Sequence, residues 1–166
     1  MLTRRTALTL LSASALAPGA ALARNVKEIT WDDLIPPGVP YSEIIGMGEF
    51  DEELDYWDPE YDENAVKLNE ALNGVYIRMP AYIVPFDFEA EGISDFLLVP
   101  YQGACIHVPP PPANQLIIAH SVKPWSTDEL WEPVWATGTL RTGLQSTELG
   151  QTGYSMTIDE MEIYEW

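Results

Sequence analysis

The stretch VYIRMPAYIVPFDF, Val75 to Phe88, opens with alternating side chains. Val75, Ile77 and Met79 fall on one side, and Tyr76 and Arg78 on the other. Period two is the mark of a strand with one buried face. Pro80 and Pro85 lie inside the run, and proline has no N–H to give to a sheet ladder. A bend, bulge or edge is therefore expected there. A strand this long, broken partway by proline, suits one that serves two sheets in turn.

The flanking segments extend that reading. Upstream, Asp62 is a helix cap, with Glu63 and Asn64 in the first turn. Ala65, Leu68 and Leu72 share one helical face, and Asn73-Gly74 closes the segment. Downstream, ISDFLLVPY from Ile93 and QLIIAHSV from Gln115 read as a second and a third strand. STDELW from Ser126 interrupts as a short helical turn or loop. PVWATGTLRTG from Pro133, with Gly138 as a bulge, and GYSMTIDEMEIYEW from Gly153 are a fourth and a fifth. The expected fold is mainly β: a small five-stranded, OB-like antiparallel barrel with an irregular N-terminal arm and one short helix. The bent first strand is what favours the barrel. A sandwich or a mixed α+β sheet is the alternative.

The chain begins MLTRRTALTLLSASALAPGAALARN. Arg4 and Arg5, a weakly apolar run and Ala21-Leu22-Ala23 make residues 1–23 an export signal cleaved after Ala23. The run is short and is interrupted by Pro18-Gly19, so no stable membrane insertion is expected once the signal is removed. Both the general secretory and the twin-arginine routes fit. The mature chain then divides into an acidic, aromatic-containing arm at 24–60 and the barrel domain with its leading helix at 61–166. Trp31, Leu34 and Ile35 are candidates to anchor the arm as a strap, with Trp57-Asp58-Pro59 at its other end. Removing the signal leaves 6 basic and 26 acidic side chains, a net charge of −20. Such a surface repels phosphate backbones, which argues against nucleic acid as a partner. Cations or basic partners are compatible with it.

YQGACIHVPPPPANQ, Tyr101 to Gln115, concentrates unusual chemistry. Cys105 is the only cysteine and so closes no bridge within its own chain. Cys105 and His107 are two apart, which puts both on one face of an extended segment. Thiolate and imidazole together suit zinc or copper. A third donor is needed, and His120 is the other imidazole. The plain alternative is a buried apolar cysteine and a histidine bonded to a carbonyl. A cysteine nucleophile beside an imidazole is a third reading, with no oxyanion feature to support it. Pro109, Pro110, Pro111 and Pro112 favour a polyproline II rod, either a stiff connector or a docking element. Gly103 permits a tight turn. Asn114 and Gln115 bring amides that can tie the loop to carbonyls. Tyr101, Gly103, the four prolines, Asn114 and Gln115 are thus the candidate partner-binding residues.

The segment FLLVPYQGACIHVPPPPANQLI (Phe96–Ile117), with GVYIRMPAYIVPFDF before it, PVWATGTL and GYSMTIDEMEIYE after it, and WDDLIP at Trp31–Pro36, resembles a family of exported bacterial proteins known only as a domain of unknown function. The resemblance spans nearly the whole mature chain. It implies a periplasmic protein and, because some such proteins are encoded beside zinc-linked ABC-type transporter components, a metal-handling or transporter-accessory role. It carries over no catalytic residue. Two expectations follow: a periplasmic accessory protein that binds zinc or copper through Cys105 and His107 in support of an ABC-type transporter, or a non-catalytic module that docks an envelope protein through the PPPP loop.

Overall fold

A computed structural model describes residues 25–51, 56–87, 92–104, 110–126, 128, 130, 132–147 and 149–165. Among them are the strands β1 (Lys27–Glu28), β2 (Ile44–Asp51), β3 (Tyr56–Tyr61), β4 (Tyr76–Pro85), β5 (Ile93–Val99), β6 (Ile117–Trp125), β7 (Val134–Thr147) and β8 (Gly150–Ile163).

β4 divides its length between two partners. Tyr76–Ala81 pairs with β7, and Tyr82–Pro85 pairs with β5. The change of partner falls next to Pro80, where the missing N–H weakens the ladder. This split closes the ring β4–β5–β6–β8–β7 and back to β4. The ring is mixed rather than antiparallel, because β6 and β8 run parallel. The reason is arithmetic: an odd number of strands cannot close with every neighbouring pair antiparallel. The register shifts between Thr137 and Gly138 in β7, the expected bulge. A Cβ on Gly138 would lie 2.1 Å from the Thr157 carbonyl oxygen, so only glycine fits that crossing.

Alternation in β4 turns Ile77, Met79, Ala81 and Ile83 into the barrel, against Phe96, Leu98, Ile117, Val134, Met156 and Ile158. β5 is buried on both faces, which explains its unbroken apolar run. Leu97 and Val99 form a second cluster outside the barrel with Val84, Ala104 and Leu116. Ala104 and Leu116 lie on the connection that follows β5.

The leading helical segment takes two 3₁₀ turns, Glu63–Val66 and Glu70–Leu72, and Ala65 and Leu72 are buried. Asp62 caps the first, accepting from the Asn64 amide at 2.9 Å. The Asn69 amide donates to the Tyr154 hydroxyl at 2.7 Å rather than to a carbonyl a turn back, which separates the two. Gly74 follows with a φ of 76°, the left-handed conformation its position called for.

The arm is a strap over the barrel. β1 runs parallel to β4 at Ile77 and Arg78, before β4 turns to β5. Trp31–Leu34 is a 3₁₀ turn that buries Leu34. Ile35 is buried too. The Trp31 indole donates to the Pro80 carbonyl oxygen at 2.8 Å, beside the change of partner in β4. Within the otherwise irregular arm, β2 and β3 form an antiparallel hairpin. Its register shifts twice, between Ile44 and Gly46 and between Gly46 and Glu49, which erases the period-two pattern from the sequence. The Trp57 indole bonds the Met47 carbonyl oxygen within that hairpin. No helix among the described residues is long and apolar enough to cross a membrane.

Candidate functional site

Where the strap crosses the proline-rich connection, a cleft of about 560 Å³ opens. The strap supplies Trp31, Asp32, Tyr41 and Ser42, and Tyr61 comes from the end of β3. The exit from β5 supplies Pro100 and Tyr101, and the rod supplies Pro111 and Pro112. Ile44, at the start of β2, completes the lining with Asn114 and Gln115. Aromatic rings and prolines give such a wall large apolar area at low entropy cost, and few polar groups then set specificity.

Hydrogen bonds to main-chain carbonyls hold the rod in place. Tyr61 donates to the Pro110 oxygen at 2.9 Å. The Asn114 side-chain amide donates to the oxygens of Asn64 at 2.9 Å and Lys67 at 3.3 Å. Gln115 donates to the Trp31 oxygen at 3.0 Å. On the strap, the Tyr41 hydroxyl bonds Asp32 Oδ1. That bond, then burial, then the carboxylate charge hold the phenol above its ordinary pKa.

Two buried oxygens in this wall lack a partner: Asn114 Oδ1 and Ser42 Oγ. Asn114 is 1% exposed. A buried polar atom left unmet costs about 1–3 kcal/mol, and an ordered water or a bound group is what ordinarily meets one. A second cavity, of about 530 Å³, lies at the far end of β6, lined by Ser121, Lys123, Trp125, Asp159 and Glu160. Its one unpartnered buried atom is the Trp125 indole nitrogen.

The structure separates the residues nominated from the sequence. Tyr101 is at the cleft and 44% exposed. Gly103 has a φ of 82° and makes the turn after it. Pro110 and Pro111 are buried and Pro112 is half-buried, so this part of the rod is a wall of the fold rather than a free ligand. Asn114 and Gln115 are buried with their amides tied to carbonyls, as described. Cys105, His107 and Pro109 lie outside the described residues, as do residues 1–23. His120 sits on the exposed face of β6, with its Nδ1 2.8 Å from Asp95 Oδ1 on β5. Among the described residues, no three His, Cys, Asp or Glu side chains are grouped to hold a metal.

Tyr41, Ser42 and Tyr61 were not singled out by sequence. They come from an arm without a regular period, and only its density of aromatics gave a signal. Trp31 was foreseen as an anchor and proves also to line the cleft.

Residues 31–163 match the family described as "Protein of unknown function (DUF3299)". The chain belongs to that family. It is similar to a solved crystal structure of a DUF3299 family protein from Pseudomonas aeruginosa PAO1, with 33% identity and a TM-score of 0.69. That similarity covers 86% of this chain and 98% of the other. No curated protein matches the chain.

Proposed function

We propose that this DUF3299 chain is a periplasmic, non-catalytic binding module that docks an envelope protein in the cleft between strap and barrel. The observation that carries the reading is the pair of buried, unpartnered oxygens, Ser42 Oγ and Asn114 Oδ1, in a wall of aromatic and proline side chains. The signal-like residues 1–23 support export, with cleavage after Ala23. The expected neighbourhood of ABC-type transporters makes a transporter subunit the first partner to try.

Docking takes precedence over the metal reading. Zinc or copper at Cys105 and His107 rests on their spacing in the sequence. The third donor foreseen, His120, meets Asp95 through Nδ1 alone, a contact that neither supplies nor removes a metal ligand at Nε2. In the docking reading the prolines act as a rigid wall that orders little on binding.

The test is a photo-crosslinking residue placed at Tyr101 and, separately, at Val122. Both positions are exposed, at 44% and 61%, and they lie at opposite ends of the β5–β6 pair. The reading expects a discrete adduct in the envelope fraction from position 101 and none from 122. Adducts that are absent at 101, or equal at both positions, overturn it.

A further inference from the structure

The unmet groups of the cleft narrow the chemistry it recognises. Asn114 cannot be turned over, because its Nδ2 already donates to two carbonyl oxygens, of Asn64 and Lys67. Its Oδ1 is therefore fixed as an acceptor, and no partner meets it. Ser42 Oγ is a second buried oxygen with no partner. Asp32 adds a carboxylate, which only accepts. Among the described lining residues there is no Lys, Arg or His. Asn114 Oδ1 and the Asp32 carboxylate are acceptors, Ser42 Oγ can accept as well as donate, and the charge on the lining is negative, which together favour a cationic ligand rich in donors.

The rings add a second constraint. Trp31, Tyr41, Tyr61 and Tyr101 line the same cleft. Aromatic faces attract cations, and a planar guanidinium also stacks on them. Guanidinium carries five N–H donors in a rigid fork, which matches a carboxylate such as that of Asp32 two at a time. Ammonium has three donors and no plane to stack. The chain as a whole, at −18, draws basic segments toward it.

We propose that the cleft takes the guanidinium group of an arginine in a basic segment of the partner protein. This rests on the docking reading and names the chemistry of that same site.

The test uses the full purified chain and three capped tripeptides, Gly-Xaa-Gly, with arginine, lysine or citrulline at the centre, followed by titration calorimetry. Citrulline keeps the shape and most of the donors of arginine but not its charge. Arginine is expected to bind at least tenfold more tightly than citrulline and more tightly than lysine. Asp32→Asn is expected to bring the arginine affinity down to that of citrulline and to leave citrulline unchanged. Equal binding of arginine and citrulline, a preference for lysine, or no effect of Asp32→Asn overturns the proposal. The arginine peptide is also added to the crosslinking at Tyr101, where it is expected to abolish the adduct. An adduct that persists overturns the arginine assignment and leaves docking standing. Absence of any adduct before the peptide is added overturns docking itself.

Discussion

The Tyr154 hydroxyl donates a hydrogen bond to the Leu34 carbonyl oxygen at 2.5 Å, joining the last barrel strand to the arm. The Tyr154 hydroxyl oxygen itself accepts from the Asn69 amide at 2.7 Å. Tyr154 and Leu34 are fully buried and Asn69 is half-buried, so the Leu34 oxygen is the partner left unmet if the hydroxyl is removed. This one side chain therefore ties together the strap, the 3₁₀ segment and the barrel, and the strap is one side of the cleft.

Tyr154→Phe is expected to lower stability by about 1–3 kcal/mol, because it orphans the buried Leu34 carbonyl and takes the acceptor from the half-buried Asn69 amide. For a domain of this size each kcal/mol shifts the melting temperature by about 2–4 °C. Thermal denaturation gives the size of the loss. Hydrogen exchange at Asn69 gives its place, since that amide is expected to lose its protection. A variant that melts with the wild type contradicts the assignment.

Burial also raises the Tyr154 pKa, from 10.0 to about 12. The Asn69 amide works in the opposite direction and the Glu70 charge in the same one. A phenol held protonated in the folded state stabilises it fully below the unfolded pKa. That contribution is lost as the pH rises from about 10 through about 12, where the unfolded chain has already released the proton. The loss is on the order of 2 kcal/mol across that window. Wild type is expected to lose more stability than Tyr154→Phe between these pH values, and parallel curves would contradict the account.

The bent strand was the most legible part of the fold. Ile77 and Met79 announced the inner face of β4, and Pro80 marked the change of partner. Gly138 and Gly74 were legible because each occupies a position that excludes a side chain or needs a left-handed backbone. The parallel β6–β8 pair was hidden, since strand direction is set by how the ring closes and leaves no local pattern. The cleft was half legible. The prolines and the amides of Asn114 and Gln115 stood out, but Tyr41, Ser42 and Tyr61 reach the cleft through an arm whose bulges conceal its strands. The hydroxyl of Tyr154 left no mark, because one tyrosine in a strand reads as any half-buried residue.

Ser42→Ala separates a binding role from a structural one. An oxygen that serves only the fold is destabilising to remove. A buried oxygen without a partner is a cost to the unliganded protein, and deleting it is expected to raise stability by about 0.5–1 kcal/mol. The same substitution is expected to weaken the arginine peptide severalfold. Denaturation and calorimetry on one sample read both effects, and a loss of stability with unchanged binding would contradict the site.

The most direct measurement is the amide and indole spectrum of the isotopically labelled chain titrated with the arginine tripeptide. The account predicts that the Trp31 indole, the Ser42 amide and the Asn114 side-chain amide shift together, while the Trp125 indole in the second cavity stays in place. Shifts centred on Trp125, or on His120 and Asp95 across the β5–β6 face, would contradict it, as would a spectrum that does not change.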